Sequence, residues 1–124
     1  MWLFLSISAG AVAGAWARYG MTLLVQTVAG QRFPWATLSI NVLGSFLMGF
    51  LFFETVERLA ISPDLRAGLL TGGLGAFTTF STFTMESLLL VEDGKILRAL
   101  LYVGLSVVLG FSAALAGAYV SRRL

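Results

Sequence analysis

The stretch Gly72-Gly73-Leu74-Gly75-Ala76-Phe77-Thr78-Thr79-Phe80-Ser81-Thr82-Phe83 sets a cluster of hydroxyls and rings directly after three glycines, in the middle of an apolar segment. Glycines weaken a helix, and inside a bilayer freed backbone is tolerated only where it is buried in protein or lines a wet cavity. The stretch therefore predicts a broken helix beside a solute path. At such a break one half-helix ends in free carbonyls, suited to a cation, and the next begins in free N–H groups, suited to an anion. Thr78, Thr79, Ser81, Thr82 and Thr84 add hydroxyl donors. Phe80 and Phe83, three apart, lie on one face. Their ring edges carry partial positive charge, although aromatics at this spacing also pack as plain core. Hydroxyls and ring edges can hold a small anion without a fixed positive charge, which leaves exit possible. The glycines do not form a phosphate cradle, because the run fits neither GxxxxGK[ST] nor GxGxxG.

Other polar residues in apolar surroundings extend this chemistry. Thr37, Asn41, Ser45 and Gly49 repeat every four residues and form one polar, small stripe. Asn41 falls near mid-membrane, where its amide serves an interhelical hydrogen bond, a permeating anion, or both. Tyr102, Ser106 and Gly110 form a second partly polar face. Arg18, between Trp16 and Tyr19, either snorkels to the headgroups or faces a wet vestibule and attracts anions. Glu86 is either a vestibule carboxylate or an interfacial charge, and a lone intramembrane acid also suits a proton-coupled carrier.

The elements that must position these residues follow from composition. The 124 residues suit one domain, 1–124, and are 58% hydrophobic but only 11% charged, which places the chain in a membrane. Without cysteine or histidine, thiolate and imidazole metal sites and His-dependent triads are excluded. A net charge of +2 gives no footing for nucleic acid. Apolar segments over residues 2–28, 35–55, 65–91 and 97–119 are each long enough to span. The first lacks the basic n-region of a cleaved signal and is expected to be retained. Its Gly10 and Gly14 allow close approach of another helix. Loops are expected around Gln31 to Pro34, Glu54 to Arg66 and Glu92 to Lys95. The charges of the second, Glu54 included, are most simply read as solvated helix ends.

Four spans put both termini on one side. Arg58, Arg66, Arg122 and Arg123 flank that side, and Arg32, Lys95 and Arg98 the other. Four against three hardly orients a chain by the positive-inside rule. A chain able to insert both ways makes an antiparallel dual-topology homodimer natural, with its axis in the membrane plane.

With these residues assembled, the chain resembles the Fluc/CrcB family of fluoride channels over essentially its whole length. The resemblance rests on Gly14-Ala15-Trp16-Ala17-Arg18-Tyr19, on Pro34-Trp35-Ala36-Thr37-Leu38-Ser39-Ile40-Asn41, and above all on the glycine–hydroxyl–phenylalanine run through Thr84-Met85-Glu86. It implies an all-α membrane protein of four transmembrane helices with a broken third helix, paired antiparallel around two fluoride pores. It is no enzyme, and it would passively release cytoplasmic fluoride across a prokaryotic inner membrane. By the same resemblance, Phe80 and Phe83 are the paired pore rings, Asn41 the pore-lining amide, and Thr37, Tyr102 and Ser106 the polar track. Thr79, Ser81 and Thr82 contribute hydroxyls to the fluoride pathway, and Arg18 and Glu86 belong to the vestibule. Gly75 and Thr78 match positions whose carbonyls hold a central sodium ion at the dimer axis. Gly110 falls where some family members carry a further track hydroxyl, and Ala76 where relatives often have glycine. Partners are then fluoride, sodium, a second copy and lipid.

Two other readings compete. A small multidrug-resistance-type exporter is also a four-span antiparallel dimer, but it needs a glutamate in its first helix, where this chain has Arg18 and no acid. A non-transporting assembly subunit of a membrane complex is the other.

Overall fold

Each helix stops where the sequence supplies a residue or turn that releases the backbone. Gly30 takes φ +78° and its N–H still bonds Gln26 O, a conformation that costs glycine little. Pro34 then precedes the second helix. Ser62 caps the third by accepting the Leu65 N–H at 3.2 Å, with Pro63 at the first helical position. Asp93-Gly94 turns with Gly94 at φ +76°, and Lys95 N–H returns to Leu90 O. The computed structural model describes residues 1–124 and contains helices without strands. In order these are α1 (Trp2–Ala29), α2 (Trp35–Phe53), α3 (Pro63–Ala67), α4 (Gly75–Phe77), α5 (Phe80–Glu92) and α6 (Ile96–Arg123). Two stretches wind in wider π-helical geometry. Glu54–Arg58 prolongs α2, and Gly68–Leu74 joins α3 to α4 in one rod over 63–77.

Three helical stretches are long and apolar enough to cross a membrane: Trp35–Arg58, Pro63–Glu92 and Ile96–Arg123. This is a multi-pass membrane protein. Only 18 of its 124 residues are buried, so most of its apolar surface faces outward, a state suited to lipid rather than water.

The expected interruption is present, but not at the glycines. The rod runs helically through Gly72, Gly73 and Gly75 and breaks only at Thr78 and Thr79, whose backbones are extended (φ −82°, ψ 159° and φ −151°, ψ 117°). The glycines instead admit α1. A Cβ on Gly10 would collide with Gly68 O, one on Gly14 with Gly73 O, and one on Gly72 with Ile7 O. Without a hydrophobic drive between helices in lipid, such backbone-on-backbone approach supplies the attraction. Here helical propensity yields to packing, because flanking turns hold the glycines helical.

The same device joins α2 to α6. A Cβ on Gly49 would strike Ala114 O, and one on Gly117 would strike Phe46 O. Ser45 faces Gly110, Gly49 faces Ala114, and Glu54 faces Ser121, so the two helices run parallel. Between the pairs lie two apolar clusters, Leu38–Leu90–Ala99–Tyr102 and Ile40–Leu70–Leu74–Phe77.

Glu54 is not a solvated helix end. It is only 6% exposed, and its Oε1 accepts a hydrogen bond from Ser121 Oγ at 3.0 Å and lies 3.6 Å from Arg58. The wide turn carries its side chain onto α6, where hydroxyl and guanidinium meet the charge. Arg66 is similarly engaged, donating from Nε to Thr55 Oγ1 and from NH2 to Phe52 O, with its guanidinium over the Phe52 ring.

Gly14→Val should force α1 off the Gly68–Leu74 stretch and cost roughly 1–3 kcal/mol as overpacking, read as a lower Tm in detergent. Gly20→Val, where no atom lies within 4 Å, should leave the Tm nearly unchanged.

Candidate functional site

The break is closed by one side chain. Asn41 Nδ2 donates to Thr79 O at 3.0 Å while Asn41 Oδ1 accepts the Thr79 N–H at 2.9 Å. The amide thus gives the extended Thr79 the two partners that a helix would have given it. This is the interhelical bond expected of Asn41, made to backbone, and one Nδ2–H remains for other use.

Two further bonds shape the break. Thr79 is the N-cap of α5, its Oγ1 accepting the Thr82 N–H at 3.2 Å and lying 3.1 Å from Thr82 Oγ1. Thr78 Oγ1 donates back to Leu74 O at 2.9 Å. In a continuous helix the Thr79 N–H would go to Gly75 O and the Thr82 N–H to Thr78 O. Both donors are diverted, one to Asn41 and one to the cap. The carbonyls of Gly75 and Thr78 therefore lack their helical donors.

Two hollows meet at Thr79. The first is a groove of about 410 Å³ lined by Asn41, Gly44, Ser45, Thr78, Thr79, Phe80, Phe83 and Ser106. The second, of about 350 Å³, is lined by Arg18, Thr22, Gln26, Thr37, Thr79, Thr82 and Glu86. Tyr102 stands beside them, fully buried, with its hydroxyl 3.0 Å from Glu86 Oε1. An aromatic chain runs from Phe80 through Phe83 and Tyr102 to Phe33, with ring centroids 5.7, 5.1 and 5.6 Å apart. Tyr102 meets both Phe83 and Phe33 in edge geometry, the arrangement that pairs a positive edge with a negative face.

The sites expected from sequence thus fall into groups. Asn41, Phe80, Phe83, Thr79 and Ser106 share the groove, and Arg18, Thr37, Thr82 and Glu86 share the second hollow. Ser81 lies exposed on α5, lining neither hollow. Gly75 lines a separate hollow with Thr55, Arg66 and Thr71. Phe80 is 75% exposed on the surface of the chain. Arg18 makes no ion pair with Glu86, so its charge is available to the hollow.

Several site residues were not singled out by sequence. Gly44 is glycine because a Cβ there would meet Thr78 Cγ2, a constraint without a sequence signal. Thr22 and Gln26 follow Arg18 at intervals of four, a helical-face signal that could have placed them in the second hollow.

Asn41→Ala should leave both Thr79 backbone groups unpaired. At about 1–3 kcal/mol for each buried group, thermal unfolding in detergent should show a marked loss of stability. Asn41→Asp keeps the acceptor for Thr79 N–H but sets a carboxylate oxygen against Thr79 O, and should be destabilised in the same direction.

Comparison with known proteins places this geometry. The family model described as CrcB-like protein, Camphor Resistance (CrcB), matches residues 5–118. Fluoride-specific ion channel FluC of Acidithiobacillus ferrooxidans is 65% identical over 112 residues, covering 90% of each chain. Proteins of the same name from Magnetococcus marinus and Hahella chejuensis are 47% and 43% identical over 116 residues, each alignment covering 94% of this chain and 94% and 91% of the relative. A match over nearly the whole length, through the broken helix and both hollows, means that this chain belongs to the CrcB-like family.

Proposed function

We propose that the chain is a fluoride-selective channel that lets cytoplasmic fluoride leave passively across a prokaryotic inner membrane. The observation that carries this is the groove at the break. It combines a spare amide N–H on Asn41, the Ser106 side chain and the rings of Phe80 and Phe83 in one hollow of apolar surroundings, while the Thr79 hydroxyl beside them donates to Thr82 Oγ1. Ser106 Oγ is shielded from solvent and has no hydrogen-bond partner. Such a hydroxyl is costly unless an acceptor reaches it. Fluoride is the small, strongly hydrated anion best repaid by donors of this kind, and the names of the relatives point to the same ion. Larger halides gain less from hydrogen bonding and meet a narrower path. Arg18, unpaired in the second hollow, would raise the local anion concentration at the entrance.

The working unit in this reading is an antiparallel homodimer of four-span chains, with two pores built from both copies. Three features support it. Phe80 projects from the single chain, the groove is open on one side, and the basic residues divide four to three across the membrane. Gly73 and Gly75 also have room for a Cβ inside the chain, with nearest atoms at 3.6 and 3.8 Å. Their missing side chains are therefore not required by this chain's own packing, and a second copy would use the space. The carbonyls of Gly75 and Thr78, released from helical bonding, fit a hard cation such as sodium. Two oxygens from each copy would make a four-oxygen site at the axis. A sodium ion bound there would neutralise converging carbonyl dipoles and tie the copies together.

The test is fluoride efflux from liposomes that contain only this chain. Electrogenic efflux without a proton gradient is expected, and obligatory exchange of protons for an organic cation would overturn the reading. Phe80→Ile and Phe83→Ile should each lower the flux by at least roughly tenfold, given the role of the lining in admitting and releasing the ion, with the dimer still intact by size-exclusion chromatography. Unchanged flux would mean that the rings only pack.

A further inference from the structure

Ser45 is the residue of the groove that nothing so far accounts for. It lies one turn beyond Asn41 on the same face of α2 and lines the same hollow. A helical serine or threonine in apolar surroundings can satisfy its hydroxyl on the carbonyl four residues back. Ser39, Thr22, Thr55, Thr78 and Ser87 all do so here. Ser45 makes no such bond, although Asn41 O is in the matching position, and no other hydrogen bond engages it. Its Oγ lies close to α6: a Cβ on Gly110 would be 3.7 Å from Ser45 Oγ. The hydroxyl therefore points across the groove at the one position of the Tyr102–Ser106–Gly110 face that has no side chain. Ser106, one turn earlier on α6, has its Oγ buried and unpartnered on the same hollow.

From this geometry we propose that Ser45 Oγ is an anion-donating group of the path, supplied by α2 at the level where α6 offers only Gly110. The inference rests on the fluoride reading above and extends it by one residue. Asn41 and Ser45 are separated by four residues, about 6 Å along the helix axis. A dehydrated anion leaving Asn41 thus finds its next donor at one helical step. Ser106 faces the same space from the opposite wall. If α6 carried a hydroxyl at position 110, it would meet Ser45 Oγ at hydrogen-bond range, and the two would satisfy each other. With glycine there, Ser45 remains free for the ion. The groove thus has one hydroxyl at this level, on α2.

Liposome flux of four chains tests the assignment: the native chain, Ser45→Ala, Ser45→Thr, and the double variant Ser45→Ala with Gly110→Ser. Removing one donor should lower fluoride flux about ten- to a hundredfold, the worth of one hydrogen bond to a charged partner, with the dimer unchanged by size-exclusion chromatography. Ser45→Thr should retain most of the flux. The double variant should recover it, because the hydroxyl returns from the facing wall and the smaller alanine side chain on α2 leaves it room. Fluoride flux unaltered in Ser45→Ala, while Phe80→Ile still abolishes it, would overturn the role of Ser45 and leave the channel reading intact. A loss in Ser45→Ala that Gly110→Ser fails to restore would assign Ser45 to packing. A native chain that passes no fluoride at all would remove the reading on which the inference stands.

Discussion

The two hydrogen bonds between the Asn41 amide and the backbone of Thr79 are the interaction on which the rest of the structure depends. A helix inside a bilayer cannot simply stop, because no water waits to bond its freed groups. Asn41 supplies both a donor and an acceptor at one place, and asparagine and glutamine alone among side chains offer that pair in an amide. Once Thr79 is held outside the helix, α5 can start afresh, with Thr79 as its own cap. The consequence is chemical as well as architectural. Diverting the Thr79 and Thr82 N–H groups strips the helical partners from Gly75 O and Thr78 O, so one amide both permits the break and releases the carbonyls beside it.

Holding the amide against the break requires that α2 and the rod over 63–77 sit at a fixed separation. The small residues set it. Gly10 and Gly14 let α1 rest directly on the Gly68–Leu74 backbone, Gly49 and Gly117 let α6 rest on α2, and Gly44 makes room for the Thr78 methyl. In lipid these approaches carry the packing energy that burial from water supplies in a soluble protein. At the far end, Glu54, Arg58 and Ser121 form a closed polar contact, and Arg66 and Arg122 lie over Phe52 and Phe53. That end is locked, whereas the groove at the break is left with unspent donors.

In the proposed reading, the contrast accounts for a path for a strongly hydrated anion in so apolar a protein. A fixed ammonium in the groove would hold the ion. Neutral hydroxyls, an amide and ring edges offer compensation in small increments, spread along two parallel helices. The ionisable side chains nearest the groove, Arg18 and Glu86, lie in the adjoining hollow across Thr79 rather than in the groove itself. Attraction and selection are thereby separated in space in the proposed mechanism.

Much of this was legible in residue order. The all-helical membrane class followed from composition, the first and third loops from Gln31 to Pro34 and from Asp93-Gly94, and the existence of an interruption from the glycine–hydroxyl run, whereas the loop expected over Glu54 to Arg66 shrinks to the few residues between Arg58 and Pro63. The four-residue repeats put Asn41 on a face with Thr37 and Ser106 on a face with Tyr102, and the structure divides them: Asn41 and Ser106 line the groove, Thr37 the second hollow, and Tyr102 neither. The residue at which the helix breaks was not legible. Sequence placed the interruption within Gly72 to Phe83, and the fold sets it at Thr78 and Thr79 inside that stretch while its glycines stay helical. A propensity of about 1 kcal/mol per glycine is smaller than the combined gain from packing α1 on those glycines and bonding Asn41 to Thr79. The burial of Glu54 was hidden for a related reason: its partner Ser121 is 67 residues away. Sequence determined which groups this protein owns and which faces of its helices carry them. Tertiary structure alone decided which are consumed inside the chain and which stay free, because a hydrogen bond is settled by a few tenths of an ångström between residues far apart in the chain.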